Sequence, residues 1–222
     1  MRWLPVAAIV LCFGTAVRLA EAQSTQAADL GAGKLLVASP ELPDPNFAKT
    51  VILLVQYDAE GVVGLILNRR SKVPVSRVLD QVAGAKHRSD PVYAGGPVGR
   101  TEVLALVRLS SPSGDLKRVF GDVFVASSKE DMEKTFAPAS AADADTLRVY
   151  LGYSGWTEEQ LKHELDLGAW FIFPGGAKAV FDSNPDSLWD RFIRETELRI
   201  AYRGVAMGPA RGGGDPTPFR NR

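Results

Sequence analysis

From residue 33 to residue 181 the aliphatic residues come in short runs, and each run is stopped by proline, glycine or a polar turn. Residues 35–38 and 50–56 are aliphatic or β-branched, and between them stands Ser39-Pro40-Glu41-Leu42-Pro43-Asp44-Pro45. Three prolines so close together forbid a continuous hydrogen-bonded ladder, so two strands joined by a rigid loop are predicted. Asp58-Ala59-Glu60-Gly61 turns the chain into residues 62–67, an apolar strand buried on nearly both faces. Further strands are predicted at 92–94, 103–109, 119–126, 147–151 and 169–173, with 178–181 as a short extended piece. The second and third of these are joined through the turn sequence at 111–115, and a loop rich in Ala, Ser and Asp covers 138–145.

Helix signals are fewer. Pro74 fits a first turn, and Val75, Val78, Leu79 and Val82 share one face of a helix. Ser128 with Asp131 resembles a capping box that opens a short helix through Met132 and Phe136. The best-signalled helix follows Gly152-Tyr153-Ser154-Gly155-Trp156. Thr157 and Gln160 form a capping box there, Trp156 and Leu161 a hydrophobic staple, and Gly168 is placed to end it as a left-handed cap. A last helix opens near Asn184-Pro185, carries Leu188, Trp189, Phe192 and Ile193 as its apolar stripe, and is expected to stop by Gly204. Strands mixed irregularly with three to four helices, without an internal repeat or a long interior linker, predict a single compact α+β domain with a mixed/antiparallel β-sheet core.

The chain of 222 residues opens with the three parts of a secretory signal: Arg2, an apolar run from Leu4 to Val17, and Ala20-Glu21-Ala22 before the expected cleavage. The run is shorter than the roughly 20 residues a membrane-crossing helix needs, so no membrane anchor is expected once the signal is removed. The expected organisation is a signal peptide at 1–22, a flexible lead-in at 23–32, a folded domain at 33–204 and a disordered Gly, Pro and Arg tail at 205–222. The mature protein would begin at Gln23 and lie outside the cytoplasm, in the periplasm. Its only cysteine, Cys12, would leave with the signal, which removes disulfides, thiolate ligands and a cysteine nucleophile together. Acidic and basic residues balance at 26 each, so no net field draws the molecule to nucleic acid, and specific DNA binding is not expected.

Chemistry-bearing patterns are sparse. Gly152-Tyr153-Ser154-Gly155 places a serine between a strand and a helix, but a hydrolase elbow needs Gly-x-Ser-x-Gly and the second glycine comes one residue early. Only His87 and His163 could act as base, and His163 lies well down the helix that Thr157 caps. Ser154 is therefore read as part of a structural turn, with anion binding at that helix start opposed by Glu158 and Glu159. Two distant histidines without cysteine make no zinc motif, and no cofactor is predicted. Asp44, Asp58, Asp90 and Asp182 adjoin turn residues and are read as solvated turn aspartates. Gly95-Gly96-Pro97 is read as a bulge or tight turn that uses glycine's backbone freedom.

Several stretches in one order resemble the YqgE/AlgH family of small bacterial proteins, sometimes labelled transcriptional regulators. They are Leu36-Val37-Ala38-Ser39-Pro40, Asp44-Pro45-Asn46-Phe47 with Thr50-Val51, Gly61 to Asn68, Tyr93-Ala94-Gly95-Gly96-Pro97-Val98, Leu151 to Trp156 with Gln160, Leu161 and Glu164, and Ala169-Trp170. The resemblance covers nearly the whole predicted domain and implies an α+β fold with little chemistry. Two departures stand out. Family members usually begin near the equivalent of Gly33 and look cytoplasmic, and they usually continue after Asn68 with a lysine and a proline, where this chain has Arg69-Arg70-Ser71.

The expected function is a non-enzymatic binding or interaction module acting after export, with a protein or small ligand as partner. Tyr153, Ser154, Trp156, Asn68 and Asp44 are the candidate surface, on or beside the junction from Tyr153 to Trp156. The alternatives are a cytoplasmic transcriptional regulator and a hydrolase using Ser154.

Overall fold

The computed structural model describes residues 30–110, 116–136 and 146–206. The signal-like segment 1–22, the lead-in up to 29, the turn at 111–115, the loop from 138 and the tail beyond 206 lie outside the described residues.

Ten strands form one curled sheet, as the interrupted apolar runs require. They are β1 (Lys34–Ala38), β2 (Val51–Asp58), β3 (Gly61–Ile66), β4 (Arg70–Pro74), β5 (Pro91–Ala94), β6 (Val98–Arg108), β7 (Lys117–Phe120), β8 (Val123–Ala126), β9 (Leu147–Trp156) and β10 (Trp170–Pro174). The main order is β10-β1-β2-β3-β9-β6-β8-β7, with β4 paired to β5 and β5 to β9. All pairings are antiparallel except β5 with β9, where Tyr93 lies opposite Tyr150. Five helices accompany the sheet among the described residues: α1 (Val75–Val78), α2 (Lys129–Thr135), α3 (Glu158–Asp166), α4 (Ala177–Val180) and α5 (Leu188–Ala206). The domain is α+β, with α1 and α4 no more than single turns.

Strand β9 holds the sheet together. One of its edges is occupied along Leu147–Tyr153 by β6, and the other is shared by β5 at Tyr150 and Leu151 and by β3 at Ser154 to Trp156. Two apolar clusters result. The larger joins β1, β2, β3 and β10 to Leu161 and Leu165 of α3 and to Leu188, Trp189 and Ile193 of α5. The smaller gathers Val75, Leu79, Val82 and Ala85 with Phe124, Met132, Phe136 and Val149. Trp189 also donates its indole N–H to the carbonyl of Ala38 at 2.8 Å, which ties α5 to the end of β1.

Local sequence explains α3 well. The Thr157 hydroxyl accepts from the Gln160 amide at 3.1 Å while the Gln160 side chain accepts from the Thr157 amide at 2.8 Å. At the other end Gly168 (φ 75°) lets its own amide reach the Leu165 carbonyl and that of Ala169 reach the Glu164 carbonyl, a Schellman termination. The Ser128/Asp131 box of α2 is present in the same form.

Several expectations are corrected. The helix expected over residues 74–82 is a single turn; Leu79 leaves helical geometry at φ −109°, ψ 42°, and a 3-10 turn follows at Ala83–Ala85. Val75, Leu79 and Val82 are nevertheless buried, so the apolar spacing reports burial along an irregular path. The segment from 119 to 126 is a hairpin that turns at Gly121 and Asp122. Residues 177–180 are a helical turn where an extended piece was expected. The polar strand β4 has no apolar run to announce it. The last helix runs to Ala206 instead of stopping by Gly204.

Candidate functional site

The junction expected to be a turn at Gly152 to Gly155 is the second half of β9, which runs on to Trp156 past an irregularity at Gly152 (φ 67°), where the register with β6 shifts. Ser154 pairs opposite Gly64 of β3 and is 0% exposed. Its hydroxyl donates to the Gly95 carbonyl at 3.3 Å, and the same carbonyl accepts the Ile66 amide at 3.0 Å. Ser154 therefore fastens the segment after β5 to β3 and β9, and the solvent-facing His163 on α3 is no partner of it.

The other four candidate residues are not all gathered on one surface, although Tyr153 and Trp156 both line one open depression with Gly61, Gly155 and Glu158. Tyr153 and Trp156 occupy opposite faces of β9, as alternate strand positions must. Trp156 is buried. It stacks on Phe47 with ring centres 5.6 Å apart and meets Trp170 edge-on at 6.1 Å. Its indole N–H donates to Oε2 of Glu164 at 3.1 Å, and the indole of Trp170 donates to that same oxygen at 2.7 Å. Tyr153 is half-buried and lines a separate open depression with Gln56, Glu102 and Lys117.

Asp44 and Asn68 act on the loop between β1 and β2. The Asp44 carboxylate accepts the Asn46 amide at 2.7 Å, and its backbone carbonyl accepts the amides of Phe47 and Ala48. Asn68 donates to the Lys49 carbonyl and accepts the Val51 amide, each at 2.9 Å. This clamp holds Lys49 in a left-handed conformation (φ 56°), unusual for a residue other than glycine. With Phe47 stacked on Trp156, the loop is pinned in its middle and, through Asn68, at its end before β2.

The pinned loop forms one wall of a solvent-open cavity of about 310 Å³. Ile66, Ala94, Pro97 and Leu151 give it an apolar lining, while Asn46, Arg69 and Arg100 bring polar groups. Gly96 completes it. A Cβ at Gly96 would lie 2.2 Å from the Tyr153 backbone, and one at Gly95 2.2 Å from the Gly152 carbonyl. The glycines are thus required by close approach to β9, not by the special backbone angle expected from the sequence; neither has positive φ.

Arg69 is half-buried and contributes two long hydrogen bonds, 3.3 Å to the Pro45 carbonyl and 3.4 Å to that of Ala48. Burial pulls its guanidinium down from the usual range, and the nearby Asp44 carboxylate opposes that shift. Arg100 is exposed at the rim. Among the described residues, neither arginine forms a salt bridge. No group of three or more His, Cys, Asp or Glu residues is placed to hold a metal ion among the described residues. No helix among them is long and apolar enough to cross a membrane.

The family profile described as AlgH-like matches residues 35–201, from the second residue of β1 into α5. This chain belongs to the AlgH-like family. It is 36% identical over 193 residues to a UPF0301 protein of Thermobifida fusca, covering 83% of this chain and 93% of that one. A UPF0301 protein of Streptomyces coelicolor is 35% identical over 175 residues, 76% of this chain and 88% of its own. The solution structure of AlgH from Pseudomonas aeruginosa superposes with a TM-score of 0.60 at 26% identity, covering 82% and 95% of the two chains. A crystal structure from Corynebacterium diphtheriae gives 0.63 at 23% identity, covering 75% and 87%, and shares the fold. In AlgH-like terms, neither Arg69, Arg100 nor the bridging Glu164 was singled out by sequence reasoning as a site residue. Glu164 stood in a family stretch, and Arg69 sat at a departure from the family pattern.

Proposed function

We propose that this AlgH-like chain is a non-enzymatic binding module that acts after export and takes a small ligand in the cavity between the 44–49 loop and residues 94–100. One observation carries the reading. Four of the family-like stretches, far apart in sequence, meet at this cavity through Asn46, Ile66, Ala94 with Gly96 and Pro97, and Leu151. Concave sites with an apolar lining and a few convergent polar groups are where small ligands bind. The burial of Ser154 and its bond to Gly95 support a positioning role for that hydroxyl instead of nucleophilic attack.

Two measurements test the proposal. Terminal sequencing of the native protein should return Gln23 from a non-cytoplasmic fraction; an intact Met1 form in the cytosol would remove the exported part of the reading. Nuclear magnetic resonance titration against a small-fragment collection should move amides around Asn46 and Gly96, and Ala94→Leu should abolish those shifts by filling the cavity. Sequence-selective retardation of a promoter fragment at physiological salt would replace binding of a small ligand by gene regulation. A hydrolytic activity lost in Ser154→Ala would replace it by catalysis.

A further inference from the structure

We infer that this cavity is selective for a small molecule carrying an oxyanion, a carboxylate or a phosphate, on a short apolar body, with the oxyanion held between Arg69 and Arg100. The inference rests on the binding role just proposed and adds the ligand's charge and size.

The charge follows from two guanidiniums lining one cavity with no carboxylate among its lining residues. Some arginines elsewhere pair with carboxylates, as Arg88 with Asp90 at 2.7 Å and Arg108 with Asp122 and Arg191 with Asp182 at 2.5 Å, while Arg77, Arg118, Arg148 and Arg194, like Arg69 and Arg100, form no salt bridge among the described residues. Arg69 and Arg100 line the same cavity without such a pair. Arg69 uses one terminal nitrogen, Nη2, on two carbonyls at distances beyond the usual range, which leaves most of its donor fork uncommitted. A guanidinium fork matches the two oxygens of a carboxylate or phosphate, and partial burial strengthens that attraction relative to open water. Among the described residues Asp44 is the one carboxylate bearing on Arg69, and one of its oxygens already accepts the Asn46 amide. It offsets part of the positive potential and would compete with a ligand, so a weakly charged or neutral headgroup would gain little here. A cation would meet two arginines.

Size and polarity follow from the lining. About 310 Å³ lies at the small end of the roughly 300–1,000 Å³ spanned by ligand pockets. Ile66, Ala94, Pro97 and Leu151 offer hydrocarbon and no ring to stack a base on. A short aliphatic body fits this lining better than a nucleotide does. Asn46 lines the cavity with an amide that can both donate and accept.

The test uses the full chain as purified after export and three probes of matched simplicity: inorganic phosphate, hexanoate and hexanol. Binding is read by calorimetry and by amide shifts at low salt. Phosphate or hexanoate should bind at the cavity, with Arg100→Gln weakening the interaction by about tenfold, the usual scale for losing one charge-assisted contact. Arg69→Gln should do the same if it stays folded; because Arg69 also touches the 44–49 loop, the exposed Arg100 carries the decision if it does not. Hexanoate binding supports both parts of the inference, whereas binding of phosphate with none of hexanoate keeps the oxyanion and refutes the apolar body. If hexanol binds as tightly as the anions and Ala94→Leu blocks it, the cavity is a binding site but its selectivity for an oxyanion is refuted. If the anions bind equally to wild type, Arg100→Gln and Ala94→Leu, their contact is general surface attraction, and the inference falls. If none of the three binds, both the inference and the proposed ligand cavity fail.

Discussion

Replacing Glu164 by leucine should release two indole N–H groups from a single acceptor. One carboxylate oxygen accepts Trp156 at 3.1 Å and Trp170 at 2.7 Å, and the two rings are 8% and 1% exposed. A buried donor left without a partner costs about 1–3 kcal/mol, so two of them set a range of about 2–6 kcal/mol. The lower half applies, because Trp156 keeps some access to water and because leucine removes the cost of holding a half-buried carboxylate. Leucine is as good a helix former as glutamate, so α3 itself should be unaffected. The expected loss is about 2–4 kcal/mol, or roughly 4–16 °C in Tm for a chain of this size. Glu164→Gln keeps an acceptor oxygen in place and should lose about 1 kcal/mol. Urea denaturation followed in parallel by tryptophan fluorescence and far-ultraviolet circular dichroism measures both variants. If the leucine variant loses less than about 1 kcal/mol, or matches the glutamine variant, the shared carboxylate does not stabilise the tryptophan pair and the reasoning fails.

Tyr150→Phe should leave stability unchanged or raise it by about 1 kcal/mol, since the hydroxyl is fully buried and has no hydrogen-bond partner among the described residues; a clear loss in chemical denaturation would reveal an acceptor. Gly96→Ala should cost about 3 kcal/mol or more, because its new carbon would collide with the Tyr153 backbone, and an unchanged melting midpoint would refute that contact. Burial pushes the Asp182 carboxyl up, but hydrogen bonds from Arg191 and the Asn184 amide, with the charges of Arg191 and Arg148, outweigh burial and hold it below the usual range. Its contribution to stability is therefore complete above the ordinary carboxylate value of about 4 and is lost as pH falls through the lower folded value. Asp182→Asn should flatten the acid side of the stability curve, and an unaltered acid limb would show that the pairing does not matter.

Much of the architecture was legible because apolar runs and caps act locally. Leu35 to Ala38, Val51 to Gln56 and the Thr157/Gln160 box needed no distant partner to be recognised. Gly152 and Gly155 misled because glycine inside a strand resembles a turn: Gly152 does take a left-handed conformation, but as an irregularity within β9, and Gly155 is held extended opposite Val63 of β3. Gly121-Asp122 was a short hairpin signal that the surrounding valines and phenylalanines concealed. β4 was invisible because Arg70, Ser71 and Lys72 become strand only through β5. The candidate site was the least legible part. Asp44 and Asn68 were noticed, yet both turn out to brace the loop that carries Asn46. Arg69 and Arg100 lie 31 positions apart and share a cavity only after β3, β5 and β9 have assembled, so no local pattern could unite them.

The central place of β9 has a consequence for how the chain reaches this form. Val62 meets Trp156 across 94 positions of chain, and Lys34 meets Pro174 across 140. During synthesis β3 and β6 exist before their shared neighbour does, each with an unsatisfied edge capable of pairing with another molecule. Long-range pairings of this kind form slowly, since loop closure precedes the contacts that reward it. The polypeptide thus has a period in which two partial sheets wait for one ten-residue strand.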